Sequence, residues 1–186
     1  DVYKRQAPKV DPGVGEVLVE AHSVPLSQLD IRHALGLMER DSEGLGREFS
    51  GVVRALGAGV SHLEPGDRVF GLARGAMASR LVVSAEQVVR IPRHLAPETA
   101  ATLLLPFLVA HRVLGERTRI EPGTRVLLLV GAGGVGLALA RLASRKKARL
   151  LALASNPARR EALLQSGASG TFRGEMDSFR EEALAW

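Results

Sequence analysis

RVLLLVGAGGVGLALARLASRKKARLLALASNPARR, residues 125–160, reads as strand, glycine turn, helix, strand and the start of a second helix. The apolar run 125–130 has the length of a buried strand, and the helical spacing that follows predicts a helix over 134–146. A second strand is predicted over 148–154. Asn156 and Pro157 supply the start of a helix over 157–165, and Gly167 its stop. Two strands joined by a crossover helix imply a parallel sheet. Gly131, Gly133 and Gly136 satisfy G-x-G-x-x-G at the end of a strand and the mouth of a helix, where the motif has a physical purpose. The first glycine permits a tight turn, the second lets backbone amides approach a pyrophosphate, and the third packs helix on strand. The helix N-terminus adds free N–H groups and the positive end of its dipole. Gly131, Gly133, Gly134, Val135 and Gly136 are therefore the candidate cofactor-binding residues. S-adenosylmethionine enzymes share a similar turn, and a ligand-free turn is the blander alternative.

A site for NAD carries an acidic residue about 20 residues beyond the loop, at the end of the second strand. Here that stretch is ALASNPARR, which has no carboxylate. Ser155, Arg159 and Arg160 instead offer a hydroxyl and two guanidinium groups suited to a 2′-phosphate, so NADPH is expected over NADH. The competing reading of the two arginines is a solvated helix face.

Outward from this stretch, residues 16–90 carry short β-like runs, EVLVEA, GVVRAL, DRVFGL and RLVVSA, separated by glycine and proline turns. That rhythm predicts a β barrel or sandwich, interrupted by a short helix in SQLDIRHALG, 27–36. APETAATLLLPFLVAHRVL, 96–114, predicts one long helix entered at Pro97. The domain boundary is placed near residue 92, giving a β-rich domain over 7–92 and a nucleotide-binding domain over 93–186. A weak strand is expected near Thr171 and Phe172, and a last helix in SFREEALAW. A doubly wound sheet needs further strands, expected beyond Trp186.

The 186 residues, 46% hydrophobic and 24% charged, have the balance of an ordinary globular chain. The absence of cysteine excludes disulfides, thiolate zinc sites and cysteine nucleophiles, and it fits a reducing, cytoplasmic setting. The net charge of +5 is dispersed except for Arg145, Lys146 and Lys147, which read as a solvated helix end; no nucleic-acid partner is expected. The apolar stretch 101–110 falls short of the roughly 20 residues of a membrane span and contains Pro106, so no membrane segment is expected. Residues 1–6, DVYKRQ, match the codons GAT GTG TAT AAG AGA CAG of a transposon end used in sequencing libraries, and read as a scar.

GREFSGVVRALGAGVSHLEPGDRVFGL, 46–72, and PGTRVLLLVGAGGVGLALARLA, 122–143, together resemble the medium-chain dehydrogenases/reductases. The resemblance runs from about Glu16 to Trp186. It implies a GroES-like β-barrel domain followed by a truncated Rossmann doubly wound sheet, with the active site in the cleft between them. Zinc-dependent members place a Cys in the segment occupied here by AHSVPLSQLD and a His where Arg47 precedes Glu48, so this chain resembles the zinc-free branch. The five histidines, 22, 33, 62, 94 and 111, show no ligand spacing, and no metal is expected.

Within that branch, LSQLDIRHALG and LGREFSG are similar to the enoyl reductase domains of polyketide and fatty acid synthases. The resemblance implies hydride transfer from NADPH to the β-carbon of an α,β-unsaturated acyl thioester on a carrier protein, with backbone amides stabilising the enolate. It places Ser27 and Asp30 as candidates lining the cleft, Asp30 reading more plainly as a cap or salt-bridge partner. Other synthase modules in the same polypeptide and a second copy of the chain are the implied partners. Ser27 stands for the family's asparagine, Val109 for its threonine, His111 and Arg112 for its tyrosines, Met38 for a tyrosine and Lys147 for a glycine. The catalytic proton donor is unassigned and expected beyond Trp186, and the 186 residues alone are expected to be inactive. The alternatives are a stand-alone quinone or enone oxidoreductase and a non-catalytic structural domain.

Overall fold

The computed structural model describes residues 11–38, 44–129, 131–173, 184 and 186. The chain divides into two compact units, the first running to Leu104 and the second from Leu105 to Trp186.

The first unit is built on an antiparallel sheet of β1 (Glu16–Ser23), β2 (Glu48–Leu56), β3 (Arg68–Leu72), β4 (Arg80–Ser84) and β5 (Val88–Arg90), in the order β4-β1-β2-β3-β5. Alternation decides which face is buried. Val17 and Val19 of β1, Phe49 and Val53 of β2 and Val69 of β3 are fully buried in one cluster. The expected short helix is α1 (Gln28–Ala34). Helix α2 (Pro97–Ala101) makes its contacts with β1, β2 and β3. β5 was not among the expected strands. At three residues it is too short to alternate, and its pairing with Val69–Gly71 of β3 creates it.

In the second unit β6 (Arg125–Leu128), β7 (Arg149–Leu153) and β8 (Gly170–Phe172) form a parallel sheet in the order β6-β7-β8. Central strand β7 is buried on both faces, at Leu150, Leu151 and Ala152, as a parallel strand requires. Burying Leu150 alone contributes about 1.5–3 kcal/mol. Helix α4 (Gly134–Arg145) lays Ala138, Leu139, Ala140 and Ala143 into the same core, and α5 (Pro157–Gln165) adds Leu163. The strands end earlier than the apolar runs suggested, at Leu128 and Leu153.

The single helix expected over 96–114 is broken. It becomes α2, then α3 (Leu104–His111), then a π-helical stretch (Arg112–Arg117). Pro106 is the cause: it has no N–H for the carbonyl of Thr102, and its ring clashes there. Thr102 closes the first piece with a 3.1 Å bond from its N–H to the Thr99 carbonyl, and the helix restarts at Leu104. Most of the SFREEALAW tail lies outside the described residues. Among them, no helix is long and apolar enough to cross a membrane.

Two helices of the second unit end alike. After α4 the Ala148 N–H reaches the Ala143 carbonyl at 3.0 Å and the Lys147 N–H reaches Ser144 at 2.9 Å. After α5 the Ala168 N–H reaches Leu163 at 3.0 Å and the Gly167 N–H reaches Leu164 at 2.9 Å. Both are Schellman closures, which need a left-handed residue. Gly167 takes φ 101° and Lys147 φ 57°.

Candidate functional site

The glycine turn joins β6 to α4. Gly133 is the N-cap of α4, at φ −88° and ψ 177°, and has no side chain to cap the helix. The first helical bond of α4 runs from the Leu137 N–H to the Gly133 carbonyl at 3.0 Å. The N–H groups of Gly134, Val135 and Gly136 precede it, so they lack intrahelical partners and stand at the positive end of the helix. At α5, by contrast, Asn156 Oδ1 accepts the Arg159 N–H at 2.9 Å and occupies that helix start.

Backbone conformation does not demand the motif's glycines. None of Gly131, Gly133, Gly134 and Gly136 has positive φ, and the turn tightens through a 2.8 Å bond from the Gly133 N–H to the Gly131 carbonyl. A Cβ built on Gly133 would meet nothing within 4 Å, so the protein leaves that side open. On Gly134 a Cβ would stand 3.2 Å from Pro106 Cγ. Pro106 thus backs the turn, a role that its place in an apolar run did not announce. Gly136 is buried with Ala138, Leu139 and Ala140 on the core side of α4.

The end of β7 lies beside this turn: a Cβ on Gly131 would stand 3.9 Å from the Leu153 carbonyl. Beyond Leu153 come buried Ala154 and exposed Ser155, then α5 with Arg159 exposed and Arg160 half-buried. The topology therefore sets the glycine turn and the Ser155–Arg160 segment at the C-terminal ends of neighbouring parallel strands. The open amides and the open Gly133 face fit a dinucleotide, and the segment after β7 carries Arg159 and Arg160 with no carboxylate between Ser155 and Arg160.

Ser27 and Asp30 belong to the first unit, where they form a reciprocal cap on α1. The Ser27 N–H donates to Asp30 Oδ2 at 2.9 Å, the Ser27 hydroxyl donates to the same oxygen, and the Gly46 N–H donates to Asp30 Oδ1 at 2.8 Å. Asp30 is 3% exposed. Burial opposes its ionisation, but the Ser27 hydroxyl, the Gly46 and Ser27 amides and the nearby Arg47 charge together hold its carboxyl below the usual aspartate range. One oxygen closes the cap of α1 on Ser27, and the other ties α1 to the loop that enters β2. Gly46 answers that tie at φ 91°, and a Cβ there would stand 2.6 Å from the Met77 nitrogen. Sequence reasoning missed Gly46, because its partner lies sixteen residues away. Among the described residues, no three His, Asp or Glu side chains converge to hold a metal.

Residues 13–93 match the family model of the alcohol dehydrogenase GroES-like domain. The chain is 40% identical over 131 residues to the pikromycin polyketide synthase component PikAII of Streptomyces venezuelae, a match covering 70% of this chain and 4% of that protein. Among solved structures, the CurK enoyl reductase superposes with a TM-score of 0.89 at 32% identity, over 97% of this chain and 58% of that one. The Escherichia coli quinone oxidoreductase complexed with NADPH superposes with a TM-score of 0.85 at 26% identity, again over 97% and 58%. The chain thus spans a few per cent of its curated relatives and somewhat more than half of these solved neighbours.

Proposed function

Because the chain belongs to the medium-chain dehydrogenase/reductase superfamily, we propose that it binds NADPH at the turn between β6 and α4 and serves a zinc-independent enoyl reductase of a polyketide or fatty acid synthase. The substrate is an α,β-unsaturated acyl thioester on a carrier protein. The observation that carries the cofactor reading is the open N-terminus of α4 beside a β7 end that bears Ser155, Arg159 and Arg160 and no carboxylate. NADPH, when bound, supplies the hydride that adds to the β-carbon, and the α-carbon is then protonated. Gly134, Val135 and Gly136 donate their N–H groups to the pyrophosphate, which the bare Cα of Gly133 lets approach. Ser155, Arg159 and Arg160 hold the 2′-phosphate. Asp30 and Ser27 act as positioning residues, fixing α1 against the Gly46 loop. A second reading, a stand-alone quinone or enone oxidoreductase, is favoured by the likeness to the E. coli quinone oxidoreductase.

Fluorescence titration with NADPH and NADH tests the cofactor half. Charge-assisted hydrogen bonds from two arginines, one exposed and one half-buried, contribute at the lower end of about 1.5–3 kcal/mol each. The double reversal Arg159→Glu, Arg160→Glu is therefore expected to weaken NADPH about a hundredfold and leave NADH nearly unchanged. Equal losses for both cofactors would refute the 2′-phosphate assignment. Turnover of crotonyl thioester by the parent protein supports the synthase reading. Turnover of a small quinone alone supports the stand-alone enzyme, and NADPH binding without either supports a structural domain.

A further inference from the structure

The junction between β7 and α5 is fixed on both sides by different bonds. On the strand side, Ala154 is buried and its N–H donates to the Phe172 carbonyl of β8 at 3.1 Å. On the helix side, Asn156 holds the chain twice. Its Oδ1 accepts the Arg159 N–H at 2.9 Å, and its carbonyl accepts the Arg160 N–H at 3.1 Å. Ser155 stands between the two fixed points.

Three positions around a helix start commonly add to its stability. A glutamate or glutamine at the third helical residue reaches back to the cap, and an apolar residue before the cap packs against the fourth. In α5 the third residue is Arg159, the residue before the cap is Ser155 and the fourth is Arg160. The first turn carries no acidic residue, and the two guanidinium groups meet the positive end of the helix dipole, which disfavours them. Helix α1 shows the contrast, since its cap Ser27 and third residue Asp30 bond each other reciprocally. Every one of these positions in α5 is thus given to the residues proposed for the 2′-phosphate. The helix start rests on Asn156 and on Pro157, whose ring presets φ for a first helical position. Local rules are broken together in this way where function requires it.

We propose that Asn156 is a positioning residue for cofactor preference. By holding the backbone of Arg159 with its side chain and that of Arg160 with its carbonyl, it keeps both guanidinium groups and Ser155 in one arrangement around the 2′-phosphate. The proposal rests on the NADPH reading above, and it requires no contact between Asn156 and the cofactor. Because Oδ1 already takes the Arg159 N–H, that amide is withheld from the phosphate and recognition falls to the side chains. Without the cap the first turn frays, and NADPH must restore it on binding. NADH has no 2′-phosphate and does not draw on that turn.

Fluorescence titration of NADPH and NADH, with circular dichroism melts on the same samples, tests this in three variants. Asn156→Ala removes the side-chain acceptor and is expected to lower the preference for NADPH about fivefold, the equilibrium weight of an N-cap lost to alanine, while NADH affinity changes less than about twofold. Asn156→Ser supplies a hydroxyl that caps about as well and is expected to keep the preference within about twofold of the unaltered chain. Asn156→Asp keeps the cap and the melting temperature but sets a carboxylate beside the 2′-phosphate, and is expected to lower the preference about tenfold by like-charge repulsion. The contrast between the Ser and Asp variants, both capped, stays readable if the alanine variant does not fold. An unchanged preference in Asn156→Ala, or equal losses for both cofactors, would reduce Asn156 to a structural cap and overturn the proposal. So would equal preferences in the Ser and Asp variants. An unaltered chain that does not prefer NADPH would sink the cofactor reading, and this proposal with it.

Discussion

Lys147→Gly should stabilise the second unit, and the molecule contains its own reference for how much. The closures of α4 and α5 have the same two hydrogen bonds at the same lengths, 3.0 and 2.9 Å, and differ in the residue at the left-handed position. For an L-residue that conformation costs roughly 1–2 kcal/mol, and the greater freedom of glycine in the unfolded chain returns about 0.5–1 kcal/mol of any gain. The net is about 0.5–1 kcal/mol, a rise of about 3–6 °C in the melting temperature of a unit this size. Removing a cation near a helix C-terminus takes back about 0.3 kcal/mol at an exposed position. Lys147→Ala loses the same charge but keeps its Cβ, so the difference between the Ala and Gly variants isolates the backbone. The converse change, Gly167→Ala, adds a Cβ only 2.6 Å from Ser144 Cβ in a residue at φ 101°. It should cost about 2–4 kcal/mol, the sum of strain and overpacking. Circular dichroism melts and urea titrations of the unaltered chain and the three variants are sufficient. If Lys147→Gly is no more stable than Lys147→Ala while Gly167→Ala is tolerated, the left-handed closure argument is wrong.

Ser50 is fully buried on β2 and its hydroxyl has no hydrogen-bond partner among the described residues; Ser50→Ala should therefore raise stability by about 1 kcal/mol, and a loss in urea unfolding would reveal a partner. Asp30 has its carboxyl lowered in the folded state, so its contribution is full above the unfolded value of about 3.9 and is lost as pH falls through the folded value. Asp30→Asn should lower stability at pH 7 and flatten the acid limb below about pH 4; superimposable acid limbs would contradict the tie to Gly46 and Ser27. Gly133→Ala, whose Cβ enters open space, should leave the melting temperature within about 1 °C but weaken NADPH binding more than tenfold, and unchanged affinity would remove the turn from the binding site.

The parts legible in the sequence were those whose signal is local. The glycine turn, β7 and the limits of α5 follow from an apolar run, a helical period and the punctuation of Asn156, Pro157 and Gly167. What escaped was set by partners distant along the chain. β5 exists because β3 lies beside it, and the Asp30–Gly46 tie spans sixteen residues. Pro106 marks the break at Thr102, but the apolar residues of LLLPFLVA flank it with so strong a helical signal that the interruption is masked. Composition shows the basic run Arg145–Lys147, whereas the pairing of Arg125 with Arg149 follows only from the parallel register of β6 and β7.

The contact between Pro106 and the Gly134 position has a consequence for recombination. The ring that breaks the helix also forms the wall behind the glycine turn, 3.2 Å from where a side chain at 134 would begin. A chimera that imports residues 131–136 from a relative inherits a turn shaped for that relative's backing residue, and one that imports only the helix around Pro106 leaves the native turn unsupported. Crossover points for domain shuffling should fall outside both, so that the helix from Leu104 and the turn before α4 travel as one cassette.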